Sequence, residues 1–349
     1  MNRIPVGVLG ATGMVGQRFI QLLSGHPWFE ITAVAASERS TGQRYADACH
    51  WLLPTPMPER VAELVVEPVA PGLDCRVVFS SLPSNVAAEV EAQFAKAGYA
   101  VCSNASAHRM DDDVPLLIPE VNANHVALLR VQQAQRGWKG SIATSANCSS
   151  TQLALALKPL YDAFGIRALH VTTLQAVSGA GYPGVASLDI LGNVVPYIRG
   201  EEEKMEREPL KMLGTLRGER IEEAPFTISA QCNRVPVRDG HTECVSIAFE
   251  QRPDLDALRD ALASFRGPPE VADLPSTPPH PIHVHSAPDR PQPILDREVG
   301  RGYTVSVGRI RPCSLLDVKF VVLGHNTLRG AAGGAIHNAE LLAARGWLA

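Results

Sequence analysis

A glycine-rich turn directly after the first apolar run, alternation of strand-like and helix-like segments up to residue 147, and a strand-dominated pattern beyond it predict the fold class. The first part reads as an α/β, Rossmann-type dinucleotide-binding domain, and the second as an α+β domain built on a largely antiparallel sheet. At 349 residues the chain exceeds one ordinary core, so two domains are expected.

Residues 4–10 (IPVGVLG) form the first buried strand. Residues 13–24 follow as a helix, because Val15, Phe19, Leu22 and Leu23 share one helical face. Strands at Ile31–Ala36, Arg76–Ser80 and Tyr99–Ser103, with a helix at Asn85–Ala97, continue the alternation. That order suits a mostly parallel sheet covered on both faces. After Cys148, the spacing of Leu153, Leu157 and Leu160 predicts a helix over 149–164. Strand-like runs then dominate: Leu169–Val177, Phe226–Asn233, Cys244–Phe249, Thr304–Ile310 and Leu316–Val322. An acidic helix around Glu201–Leu213 interrupts them, and their apolar faces need a covering layer that a second subunit can supply. Nine prolines between residues 268 and 293 read as an ordered surface arm, with a domain linker as the alternative. Within it Ile282 and Val284 alternate like an edge strand. Gly330–Ala344 reads as a helix of small residues.

Composition narrows the function. Hydrophobic residues at 45% and charged residues at 19% place the chain among folded proteins. A net charge of −4 without a Lys/Arg block argues against nucleic acid as a partner. No apolar run reaches the roughly 18 residues of a membrane span, and no secretory signal is evident. The seven cysteines are scattered without a Cys-x-x-Cys pair, which predicts reduced thiols and a cytoplasmic setting. Six of them read as small buried apolar residues; Cys148 stands apart. His280, His283 and His285 lack interleaved cysteine or acidic ligands at a familiar spacing, so no metal site is expected.

Gly10-Ala-Thr12-Gly13-Met14-Val15-Gly16 links the first strand to the first helix. Such glycines let the backbone turn sharply beside a pyrophosphate, and the helix start offers unpaired N–H groups to the anion. At the end of the second strand, Ser37, Arg39 and Ser40 suit the 2′-phosphate of NADP, whereas Glu38 would oppose it. Cys148 begins a helix within Ser-Ala-Asn147-Cys148-Ser-Ser-Thr, where the dipole and N–H donors are expected to lower its pKa and to hold an oxyanion. Asn147 reads as an oxyanion group or as a helix cap. In Arg234-Val-Pro-Val-Arg-Asp-Gly-His241, the histidine on a turn suits a general base and Arg234 suits a carboxylate.

Together these motifs resemble the aspartate-semialdehyde dehydrogenase family, in its archaeal and fungal-like branch. The likeness spans nearly the whole chain: GATGMVGQRF, SNASAHRMDDDVPLLIPEVN, ANCSSTQ, LQAVSGAGYPGV, GEEEKM, RVPVRDGHTE, DRPQPILD, VGRIR and HNTLRGAAGG all read as family blocks. One departure is Ile294, where the family often has arginine. The resemblance implies reversible, NADP-dependent reduction of aspartyl phosphate to aspartate semialdehyde and phosphate through a cysteine thioester. This reaction belongs to biosynthesis of lysine, threonine, methionine and diaminopimelate. It further implies Cys148 as nucleophile, His241 as acid/base and Gln175 as the residue orienting substrate. Arg234 would bind the α-carboxylate; Arg109, Asn147 and Lys204 would lie near the acyl phosphate; Glu201 and Glu202 would help hold the amino group. Gly10, Thr12, Gly13, Met14, Val15, Ser37, Arg39, Ser40, Ser81, Leu82, Ser178, Gly179 and Asn326 would contact NADP. The implied organisation is a dinucleotide-binding domain over 1–147, a catalytic and dimerisation domain over 148–324, and a C-terminal helix over 325–349 returning to the first, in a homodimer or homotetramer. A malonyl-coenzyme A reductase on the same scaffold is the alternative; it would keep Cys148 and His241 but has no need of the GEEEK block.

Overall fold

The computed structural model describes residues 3–348. Seven strands form the first sheet: β1 (Ile4–Leu9), β2 (Phe29–Ala36), β3 (Val66–Pro68), β4 (Val77–Ser80), β5 (Ala100–Ser103), β6 (Leu116–Leu117) and β7 (Ser141–Ser145). They lie in the order β3-β2-β1-β4-β5-β7-β6, and each neighbouring pair is parallel. From β1 the chain turns to β2 and β3 on one side, then returns to β4 on the other. The carboxyl ends of β1 and β4 therefore flank a crevice at the switch point, the usual ligand site of such sheets. Alternate residues of β4 serve opposite faces. Val77 and Phe79 pack with Phe19, Ile20 and Ile336, whereas Val78 packs with Phe94 and Ala95. The helices Met14–Leu23 and Gly333–Ala344 thus share one face, and Ser84–Ala97 covers the other. The sequence reading missed β3, β6 and β7. The first two have only three and two residues, and β7 (SIATS) is wholly buried yet carries only one large apolar side chain.

A small antiparallel hairpin of β9 (Thr215–Arg217) and β10 (Arg220–Glu222) follows the helix Glu201–Met212 and precedes the later strands of the second sheet. That sheet contains β8 (Ile166–Gln175), β11 (Thr227–Arg234), β12 (His241–Phe249), β13 (Ile282–Val284), β14 (Val305–Pro312) and β15 (Val318–Gly324). Its order is β11-β8-β12-β15-β14-β13; the three inner pairs are antiparallel and the two edge pairs parallel. Leu153, Leu157 and Leu160 of the Cys148–Phe164 helix pack on one face with Val171, Val245 and Phe320. On the other face His170, Ser229, Gln231 and Cys244 are exposed, the polar-out alternation of a half-covered sheet.

The proline-rich segment is an ordered arm. Its β13 is an edge strand beside β14. Ser276 donates from its N–H and its hydroxyl to Glu340 (2.9 and 2.6 Å), and Thr277 meets His337 at 2.7 Å, so the arm is bonded to the C-terminal helix. That helix starts at Gly333 rather than Gly330. A wide π-type turn, Leu328–Ala332, precedes it and is kinked at Ala331 (φ −148°, ψ −113°). Within that turn Gly330 abuts the nucleophile helix, and a Cβ there would lie 2.8 Å from the Cα of Cys148.

Candidate active site

Strand direction gathers the polar residues. β8 and β11 run parallel and end at the paired residues Gln175 and Arg234. β12 runs the opposite way, so its first residue, His241, lies at the same end and pairs with Gly324 at the close of β15. Asn326, just beyond, accepts from Gly240 N–H (2.8 Å) and donates to Ser178 Oγ (2.9 Å). Cys148 comes to this end from the other sheet, because its helix starts directly after β7. The result is a cavity of about 600 Å³ between the two sheets, with Met14, Val15, Ser81 and Leu82 on one side and Cys148, Gln175 and Arg234 on the other.

Asn147 caps the nucleophile helix: its Oδ1 accepts from the N–H groups of Ser149 (2.9 Å) and Ser150 (3.1 Å). Those N–H groups are therefore unavailable to an oxyanion, which corrects that part of the sequence reading. The side-chain amide of Asn147 also donates to Glu201 (2.8 Å) while lining the cavity. The expected low pKa of Cys148 is not what the surroundings produce. Burial pushes the thiol up to about 12 and Glu201 adds to the rise, against Arg109, Arg234 and Lys204. The sulfur's residue keeps some surface toward the cavity, but dense packing around it strips the solvation a thiolate needs.

His241 is fully buried, and burial, followed by Arg234 and His325, pulls its pKa down to about 3. Its Nδ1 accepts from the Ala176 N–H (3.0 Å), so the neutral ring carries its proton on Nε2. Nε2 has no protein partner and lies beneath Gly179 in the cavity wall, where a Cβ would come within 3.0 Å of it. The proton-bearing nitrogen of the ring is therefore the one that faces Gly179. Arg234 is buried too; its Nη1 donates to Ala176 O (2.8 Å), and burial lowers its pKa.

The helix Glu201–Met212 turns one charged face to the site. Glu201 bonds Asn147 and Lys204 (2.8 and 3.2 Å), and Lys204 lines the cavity. Glu208 and Lys211 continue that face at helical spacing. Glu208, which the sequence reading did not single out, accepts from Arg109 (2.9 Å) and from the Asn147 N–H (2.6 Å). Lys211 donates to the carbonyls of Arg109, Asp111 and Val114. Glu202 points elsewhere: its carboxylate accepts from the Cys232 N–H (2.9 Å) on the free edge of β11, outside the cavity wall. Its expected part in substrate binding is corrected accordingly, since one residue along a helix turns a side chain by about 100°.

On the other side, Gly10 has φ +75°, and a Cβ would strike Ser81 Oγ at 2.9 Å; at Gly16 it would strike the Gly10 carbonyl at 2.3 Å. Gly13 caps the first helix without a side chain, and no acid follows in the first turn. Free N–H groups, a glycine cradle and the switch-point crevice fit a dinucleotide pyrophosphate. Gly10 and Ala11 both donate to Ala35 O (2.9 and 3.0 Å), which brings the end of β2 beside the loop. Ser37, Arg39 and Ser40 occupy an exposed-to-half-buried turn there, away from the wall around Cys148. Among the described residues, no cluster of metal-ligating side chains occurs and no helix is long and apolar enough to cross a membrane.

A dinucleotide crevice that shares one cavity with a helix-capped cysteine and an arginine, with a buried imidazole behind Gly179 of its wall, is the arrangement of a nicotinamide-dependent oxidoreductase working through a thiol. Two domain families match accordingly: semialdehyde dehydrogenase, NAD binding domain, over residues 5–129, and semialdehyde dehydrogenase, dimerisation domain, over residues 157–329. The chain belongs to the aspartate-semialdehyde dehydrogenase family. It is 51% identical over 341 residues to the enzyme of Archaeoglobus fulgidus, covering 97% of this chain and 98% of that one. The crystal structure of the Candida albicans enzyme with NADP superposes with a TM-score of 0.91 at 46% identity, covering 99% and 100% of the two chains. A Vibrio cholerae aspartate semialdehyde dehydrogenase II complexed with ASA gives 0.77 at 28% identity, covering 98% and 99%.

Proposed function

We propose that the chain catalyses the reversible, NADP-dependent conversion of L-4-aspartyl phosphate to L-aspartate 4-semialdehyde and phosphate through a thioester on Cys148. The observation that carries this reading is the meeting of Cys148, Gln175, Arg234 and the glycine-rich turn's Met14 and Val15 on one cavity. Arg234 takes the α-carboxylate, Glu201 the ammonium, and Arg109 with Lys204 the phosphate; Gln175 orients the carbonyl beside the sulfur. The thiol of Cys148 attacks that carbonyl, its proton passing to the departing phosphate oxygen as the C–O bond breaks. This route suits a site whose thiol is protonated and whose imidazole already holds its proton on Nε2. Bound NADPH, held by the Gly10–Val15 turn with Ser81, Leu82, Ser178, Gly179 and Asn326, supplies the hydride that reduces the thioester. His241 stabilises the resulting thiohemiacetal oxygen by donating from Nε2. Collapse then restores the C=O bond, breaks the C–S bond, and leaves a thiolate that regains a proton from solvent.

The test runs the reaction backwards: aspartate semialdehyde, inorganic phosphate and NADP⁺ produce NADPH, and omission of phosphate abolishes turnover. Undiminished turnover without phosphate overturns the acyl-phosphate reading. The cofactor preference has its own check. Arg39→Ala is expected to weaken NADP binding by about 1.5–3 kcal/mol, the worth of a charge-assisted contact to the 2′-phosphate, while NAD binding changes little. Titration of both cofactors decides it; equal losses make Arg39 only part of the turn.

The domain division at 147/148 and 324/325 belongs to the same proposal, as does a homodimer or homotetramer. The matched dimerisation domain supports assembly, as do the exposed Tyr182, Leu188, Leu191, Val194 and Tyr197 within one short segment. A cytoplasmic setting suits a working thiol.

A further inference from the structure

We infer that Glu208 is a positioning residue for the phosphate half of the reaction, because its carboxylate ties the Arg109 guanidinium to the cap of the nucleophile helix. The inference rests on the reading of Arg109 as a phosphate ligand and Cys148 as nucleophile. Glu208 is 2% exposed and does not line the cavity, so it acts through its partners. One oxygen accepts from Arg109 Nη1 (2.9 Å), the other from the Asn147 backbone N–H (2.6 Å). Both partners do line the cavity.

Both partners are donors, and a carboxylate presents an acceptor to each. An amide of the same shape must turn its NH₂ toward one of them. The remaining contacts fix the same spacing. Arg109 Nη2 donates to Asn104 O (2.9 Å), and Lys211, one turn beyond Glu208, donates to the carbonyls of Arg109, Asp111 and Val114. Arg109 Nε stays without a protein partner. The loop after β5 and the start of the nucleophile helix, far apart in sequence, are thereby held at one separation. The chemistry needs that separation, since the S–C bond forms while the bond to phosphate breaks, and small misplacements of reacting groups cost rate.

The experiment is steady-state kinetics of Glu208→Gln in the phosphate-dependent oxidation of aspartate semialdehyde, with Arg109→Ala alongside. In the Gln variant, KM for inorganic phosphate is expected to rise about tenfold or more and kcat to fall about tenfold. KM for aspartate semialdehyde and for NADP⁺ should stay within about twofold, a selectivity that general loosening of the fold would not give. An unchanged phosphate KM in Glu208→Gln, with a raised one in Arg109→Ala, overturns the inference and leaves the reading of Arg109 standing. An unchanged phosphate KM in Arg109→Ala overturns both. If all constants worsen together as the unfolding temperature falls, Glu208 only supports the fold. Should the Gln variant be insoluble, Glu208→Asp keeps the charge but is too short to span both donors, and the same phosphate-selective loss is expected. Insolubility of both variants also sinks the inference.

Discussion

Replacing Cys148 by alanine is expected to lower turnover by at least about four orders of magnitude, because without sulfur no thioester forms. The substitution should leave the protein folded and its dinucleotide affinity near normal. The side chain sits at the first position of a helix whose cap is the Asn147 side chain, so the cap bonds to Ser149 and Ser150 survive. The cradle at Gly10, Gly13 and Gly16 follows β1, which β4 and β5 separate from β7, the strand that leads into the Cys148 helix. Serine should fail as well. His241 Nδ1 already accepts from Ala176, and a hydroxyl is harder to deprotonate than a thiol. Cys49→Ala, Cys75→Ala and Cys102→Ala should retain activity. Cys49 bonds Tyr45 under the glycine-rich loop, Cys102 lies within β5, and none of the three lines the cavity. Rates, cofactor titration and thermal unfolding measured on the same preparations check the set. A Cys148→Ala enzyme with a near-normal rate would remove the covalent mechanism.

Arg234→Leu is expected to impair oxidation of aspartate semialdehyde by about two to four orders of magnitude in kcat/KM. A desolvated carboxylate left unpaired costs about 3–5 kcal/mol, and each 1.4 kcal/mol is roughly tenfold. Arg234 is 6% exposed, so solvent does little to replace it. The same change frees the Ala176 carbonyl, which Arg234 holds at 2.8 Å, beside the N–H that orients His241. Comparison with a substrate that lacks the α-carboxylate separates the two effects. Such a substrate should be poor with the native enzyme and nearly indifferent to the mutation if carboxylate binding dominates. An equal loss for both substrates would assign Arg234 to the geometry of His241 instead. Preference of the native enzyme for malonate semialdehyde with coenzyme A would overturn the aspartyl reading while leaving the fold and the cysteine chemistry in place.

Much of the fold was legible because the relevant signals are local. The apolar run Val6–Leu9 with its glycine turn, the leucine spacing after Cys148, and the alternation around Ile282 each report a backbone geometry over a few residues. Elements escaped where that signal is thin, as in two-residue β6 or in β7, whose burial comes from neighbours rather than from its own side chains. The charged face of the Glu201–Met212 helix was half legible. Helical spacing from Glu201 through Lys204 to Glu208 and Lys211 was there to be read, and it also separates Glu202 from that face.

Residue types at the site were set by the chain itself: a cysteine behind an asparagine cap, an arginine and a histidine seven residues apart, glycines where a Cβ cannot fit. Their chemical states were decided only by the tertiary structure. Helix-start logic alone gives Cys148 a low pKa, yet burial pushes the thiol up; a histidine on a turn does not reveal its tautomer, which the N–H of Ala176, just past the end of β8, fixes by bonding Nδ1. Glu208 finds its partners 61 and 99 residues away. Desolvation and hydrogen-bond partners depend on which segments meet in space, and local sequence carries side-chain chemistry but not that neighbourhood.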